Sequence, residues 1–137
     1  MPPLQPFFQE HPDHPGNADA IAHCVNACFA AQTACIACAD ACLVEPDVQT
    51  LIACIRLDLD CADICAATAS IATRFNKMGN RQNLESVLSA CATICRTCAE
   101  ECDTHAEKHG HCRVCAEACL LCAKACADLL ESMRVAA

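Results

Sequence analysis

Basic residues are few in this chain: nine Lys and Arg stand against seventeen Asp and Glu, for a formal net charge of −8. The nine are scattered and form no patch, which argues against a nucleic-acid partner. Aromatic residues are scarcer still, with four Phe and neither Trp nor Tyr. No stretch holds the roughly 18 continuous apolar residues of a membrane span, because polar or charged residues interrupt every run; no membrane partner is expected. The amino terminus, Met1-Pro2-Pro3-Leu4-Gln5-Pro6-Phe7-Phe8, carries no basic n-region, no long apolar run and no cleavage pattern. The expectation is a cytoplasmic protein whose thiols stay reduced.

What the chain has in abundance is cysteine, seventeen in 137 residues. One group is Cys24, Cys28, Cys35, Cys38 and Cys42; a second is Cys54, Cys61 and Cys65. A third is Cys91, Cys95, Cys98 and Cys102; the fourth is Cys112, Cys115, Cys119, Cys122 and Cys126. Within each group every step is 3, 4 or 7 residues. At about 100° per residue, each group keeps to one arc of a helix surface. Cysteine therefore occupies the inward positions where a bundle normally carries Leu or Ile. A disulfide scaffold is excluded by the odd count. It is also excluded by spacing: helical neighbours have Cβ atoms about 5–6 Å apart, against about 3.8 Å in a disulfide.

The segments between the groups predict helices and their ends. Residues 1–17 form a Pro-rich tail, with Phe7 and Phe8 expected to pack on the body. Residues 18–135 form the bundle. The first helix starts after Asn17 and ends near Leu43 or Val44, ahead of Pro46. Asp47 is expected to cap the second, which runs to about Phe75. Asn76-Lys77-Met78-Gly79-Asn80 signals a turn with Gly79 as C-cap. The third helix is expected from Arg81 to Lys108, closed by Gly110, and the fourth from Cys112 to Met133. Three short connections make antiparallel neighbours. The fold class is all-α: an antiparallel up-down-up-down four-helix bundle with a Cys-lined core.

The stripes end differently at the two ends. At one end they continue as Ile21, Leu84, Leu88, Leu129, Met133, Thr68, Ala72 and Phe75, an apolar plug; Met133 and Met78 are expected to fill core rather than bind metal. At the other end His105 and His109 continue the third stripe, and His111 follows. These three are candidate metal ligands at a mouth. Asp58 lies in register between Cys54 and Cys61, a carboxylate aimed into the core and hence a candidate lining group. His11, His14 and His23 are expected at the surface.

Soft thiolates select Cu(I), Zn(II) or iron–sulfur clusters. Clusters need cysteines presented from loops, whereas no Gly or Pro interrupts these stripes. A four-thiolate Zn(II) site carries net −2, and several in one dry core are costly. Cu(I) replaces a thiol proton without changing the charge, so many ions fit, on the order of one per thiolate. Two alternatives stay open: a zinc or general metal buffer of metallothionein type, and a thiol–disulfide redox protein using one of the CxxC pairs, such as Cys35/Cys38 or Cys95/Cys98. Catalysis is not expected.

The pattern resembles the bacterial copper storage proteins of the cytosolic type. The resemblance covers residues from about 18 to 133. It rests on Cys24, Cys28, Cys35, Cys38 and Cys42 with their counterparts on the other three helices. It rests also on the His-bearing turn Asp103-Thr104-His105-Ala106-Glu107-Lys108-His109-Gly110-His111. It implies a homotetramer of four-helix bundles, each binding many Cu(I) ions and exchanging them with a copper chaperone or copper enzyme. Asp58 and Ala31 depart from the thiol pattern and put the ion count in doubt. Independently of the resemblance, Ile52 and Leu59 should face outward from the second helix, where apolar groups suggest a partner subunit.

Overall fold

The computed structural model describes residues 3–13 and 16–136. Among the described residues five α-helices follow one another: α1 (Gln5–Gln9), α2 (Ala18–Leu43), α3 (Ile52–Thr73), α4 (Arg81–Asp103) and α5 (Gly110–Ala136). A 3-10 turn, Val48–Leu51, leads into α3. No strand occurs among the described residues. Each long helix packs on two neighbours: α2 on α3 and α5, α4 on α3 and α5. With short connections, that is the expected antiparallel up-down-up-down bundle.

One side of each long helix is buried, and cysteine is the commonest residue on the buried sides taken together. In α2 the buried set is Ile21, Ala22, Cys24, Val25, Cys28, Ala31, Cys35, Cys38, Ala39 and Cys42. Ala between the thiols lets the backbones approach and keeps helix propensity high. The most apolar 18-residue window of α2 reaches a mean hydropathy of 1.4. That character comes from Cys and Ala, and the cysteines face the interior.

The plug lies where the stripes predicted it. Ile21, Leu84, Leu88, Leu129, Met133, Thr68 and Ala72 are all buried, and Phe75 packs against them. At about 1.5–3 kcal/mol for a buried aliphatic side chain, this end supplies the hydrophobic stabilisation that small thiols give less of. Phe8 joins the core from α1. Phe7 does not: it is 69% exposed, because a one-turn helix can turn only one of two adjacent residues inward. Met78 is likewise exposed at 88% rather than core.

Several helix ends differ from expectation. Neither Asn17 nor Asp47 makes a side-chain cap; Asp47 is engaged elsewhere, as described below. Asn80 is the side chain that caps, its Oδ1 accepting from Asn83 N at 3.0 Å. Gly79 does not adopt a positive φ. Its need is space, since a Cβ there would meet Phe75 Cδ2 at 3.0 Å and Asn76 N at 3.1 Å. The third helix ends at Asp103, five residues before Lys108, and Gly110 opens α5 instead of closing α4. Thr104 Oγ1 donates to Glu101 O at 2.7 Å. The amides of Thr104, His105 and Ala106 then bond three residues back, to Glu101, Cys102 and Asp103, tightening the chain out of the α-helical path. Helix-forming Ala106, Glu107 and Lys108 mask this stop in the sequence.

Candidate metal centre

All seventeen cysteines are free and buried. Their sulfurs meet both between adjacent helices and across the bundle diagonals. Near the plug Cys24 faces Cys126 at 3.8 Å and Cys28 faces Cys122 at 3.7 Å. In the middle Cys35 lies 3.4 Å from Cys119 and Cys61 lies 3.5 Å from Cys95. Towards the other end Cys54 and Cys102 are 3.3 Å apart. Diagonal contacts such as Cys61–Cys119 at 3.7 Å and Cys35–Cys98 at 4.0 Å show sulfur filling the axis itself.

These separations suit bridging metal. An ion about 2.3 Å from each of two sulfurs spans at most about 4.6 Å between them. Four-thiol groups drawn from different helices, each with all sulfurs within 4.8 Å of one another, come close to this along the tube: Cys28, Cys91, Cys122 and Cys126; Cys65, Cys91, Cys95 and Cys122; Cys35, Cys98, Cys115 and Cys119; Cys38, Cys42, Cys54 and Cys112. Sharing of Cys91 and Cys122 between groups makes the sites contiguous.

Asp58 is fully buried. Its Oδ1 lies 3.2 Å from the sulfurs of Cys98 and Cys115 and 3.5 Å from Cys102, while Oδ2 lies 3.9 Å from Cys54. Burial, followed by the negative charge of Cys115 and Cys54, pushes its carboxyl up to about 8. Together with Cys38, Cys54 and Cys102 it forms a mixed sulfur–oxygen group.

The thiols share protons unequally. Burial pushes Cys42 up to about 11. The neighbouring thiols of Cys102, Cys119, Cys35 and Cys38 hold Cys115 well below the usual thiol range, and those of Cys119, Cys35, Cys65 and Cys95 do the same for Cys61. Cys102 is pushed up, with the neighbouring Cys115 as the largest cause. A thiolate in this core is thus stabilised by neighbouring S–H groups rather than by water.

The three candidate histidines separate in the structure. His111 reaches the thiols: Nδ1 is 3.4 Å from Cys38 Sγ and 3.6 Å from Cys112 Sγ. His109 is bound by carboxylates from the α2–α3 turn, its Nε2 donating to Asp47 Oδ2 at 3.0 Å and its Nδ1 contacting Glu45 Oε2. The Asp47 hydrogen bond pushes the His109 pKa up, and His109 with Lys108 holds the Asp47 carboxyl well below the usual range. Nε2 of His105 pairs with Glu101 Oε2 at 2.9 Å. Stripe register misleads for His105 and His109 because α4 has already ended. His11 and His23 are exposed, and His14 lies outside the described residues.

Glu45, Asp47 and Glu101 are the mouth residues that periodicity does not mark. The signal for the first two is topological. In an up-down-up-down bundle the α2–α3 and α4–α5 turns lie at one end, which brings Glu45-Pro46-Asp47 to the histidines.

Solved structures of known proteins share this fold. The copper storage protein Ccsp from Streptomyces lividans, loaded with 10 copper equivalents, superposes with a TM-score of 0.90 at 45% identity, covering 93% of this chain and 98% of that one. A five-copper structure of the cytosolic copper storage protein from the same organism gives a TM-score of 0.80 at 50% identity, over 82% of this chain and 93% of that one. The Cu(I)-bound copper storage protein BsCsp3 gives 0.67 at 37% identity, over 77% and 92%. The family profile of copper storage proteins matches residues 17–131, a span that takes in all seventeen cysteines. With its buried sulfur column, matched length and matched profile, the chain belongs to the copper storage protein family.

Proposed function

We propose that this protein stores many Cu(I) ions in the cytoplasm on the thiolates of its bundle interior and performs no catalysis. The observation that carries the proposal is the column of seventeen free, buried thiols with neighbours at 3.3 to 4.0 Å. Each Cu(I) bound takes the place of a thiol proton, so the dry interior fills without accumulating charge. The structural relatives carrying five and ten coppers support storage, and the cytosolic description of one supports the location.

Redox exchange is disfavoured by access. Reactive CxxC thiols are partly exposed and sit at helix N-termini, whereas Cys35, Cys38, Cys95 and Cys98 are buried along α2 and α4. The ligand set is the seventeen cysteines with Asp58, and His111 serves at the mouth. His105 and His109 act there through the carboxylates they hold. The assembly is a homotetramer, and a copper chaperone or copper enzyme is the exchange partner.

An anaerobic titration of the reduced protein with Cu(I) against a colorimetric chelator, run in competition with Zn(II), tests the function. Uptake on the order of one Cu(I) per thiolate is expected. Preference for a few Zn(II) over many Cu(I) would overturn it.

A further inference from the structure

The two ring nitrogens of His111 face different chemistry. Nε2 lies 3.1 Å from Glu45 Oε2. Nδ1 lies 3.4 Å from Cys38 Sγ and 3.6 Å from Cys112 Sγ, and those two sulfurs are 3.8 Å apart. Glu45 sits in the turn after α2, its backbone N bonded to Cys42 O at 3.2 Å. Its Oε2 also meets His109 Nδ1, so the carboxylate is held between two rings.

An ionised carboxylate accepts hydrogen bonds and donates none. The Glu45 contact therefore requires the His111 proton on Nε2. The lone pair of the neutral ring is then on Nδ1, turned towards two thiols. The opposite tautomer would set a bare nitrogen against a carboxylate oxygen and aim an N–H at the sulfurs. Histidines that bind metal commonly place their second nitrogen on a carboxylate in this way, which fixes ring and tautomer together.

We propose that Glu45 is a positioning residue: by accepting from Nε2 it presents His111 Nδ1, with the sulfurs of Cys38 and Cys112, as a three-coordinate receiving site for incoming Cu(I). One imidazole nitrogen and two thiolates are a donor set that suits this ion. The site stands at the mouth end of the tube, and Cys38 connects it to the group that it forms with Cys54, Asp58 and Cys102. The uptake part of the inference rests on the copper-storage function; the tautomer part does not.

The test uses histidine-labelled, reduced, full-length protein as wild type, Glu45→Ala and Glu45→Gln. Nitrogen NMR without metal should show His111 of the wild type protonated on Nε2 and bare at Nδ1. Glu45→Ala should give a tautomer mixture. Glu45→Gln, whose amide oxygen still accepts, should keep the wild-type form. In stopped-flow transfer from a Cu(I) chelator, the first phase should slow about ten-fold in Glu45→Ala and recover most of its rate in Glu45→Gln. A wild-type His111 protonated on Nδ1 overturns the inference, as does an alanine variant with unchanged tautomer and first phase. Failure of Gln to restore both readouts overturns it too, by assigning the effect to the turn. Wild-type protein that binds few Cu(I) overturns the storage function instead, a result separable from the metal-free spectra.

Discussion

Asp58 and Cys115, on helices diagonally opposed in the bundle, meet at its axis with Oδ1 3.2 Å from Sγ. The carboxyl is pushed up from 3.8 to about 8, burial being the largest cause. Raising the folded pKa of an acid makes the folded protein hold a proton that the unfolded chain has lost. Stability of the metal-free protein should therefore fall as pH rises from about 4 to about 8, by several kcal/mol in all. Asp58→Asn removes the titration and should flatten this part of the profile. Denaturant melts under reduction at pH 5, 6.5 and 8 read the difference between the two proteins, and parallel profiles would contradict the assignment.

Separation of plug from tube makes a second prediction. Leu88 is fully buried one helical turn before Cys91, with Leu84 on the same face. Leu88→Ala should leave a cavity and cost about 3 kcal/mol. It carries no ligand atom, so Cu(I) capacity should match wild type. The comparison needs a thermal melt of metal-free protein and a chelator titration. A large capacity loss in a folded variant would mean that the apolar end takes part in storage.

The bundle and its thiol column were legible from sequence because cysteine keeps helical spacing and one inward face defines all four helices. Asp58 was legible for the same reason, standing in register between Cys54 and Cys61. The mouth was only partly so. Stripe register carries information only while the helix continues, and α4 stops at Asp103 where the Thr104 hydroxyl takes the Glu101 carbonyl. Beyond that point the side chains are arranged by contacts between turns distant in sequence, such as His109 with Asp47. Asp47 looked like a helix cap by its place in the chain. Its carboxylate is instead engaged by His109 and Lys108, a tertiary contact that no local pattern encodes.

The outer face of α3 bears on assembly. Ile52 and Leu59, seven residues apart and so on one face, are exposed at 47% and 49%. If this face joins subunits in the proposed tetramer, Ile52→Lys together with Leu59→Lys should lower the mass measured by light scattering while leaving the helical dichroism intact. An unchanged mass would remove α3 from the interface.

Turn-to-turn contacts at the mouth should respond to pH in a window set by His109 and Asp47. The His109 pKa is raised above 6.5, so its contribution is fully present below that value and is lost as pH rises through the raised one. Asp47 is depressed below 3.8, so its contribution is present above that value and is lost as pH falls through the depressed one. The clasp between the α2–α3 and α4–α5 turns is therefore complete from about pH 4 to about pH 6.5. Amide exchange at Val48–Leu51, corrected for the intrinsic pH dependence, should be slowest in that window and should accelerate towards alkaline pH. His109→Ala should abolish the dependence. His111→Ala should preserve it, because the Nε2–Asp47 bond at 3.0 Å belongs to His109, yet it should slow the first phase of Cu(I) transfer by removing the nitrogen beside Cys38 and Cys112. Equal effects of the two substitutions on both measurements would mean that the histidines do not divide the work between holding the turns together and receiving the ion.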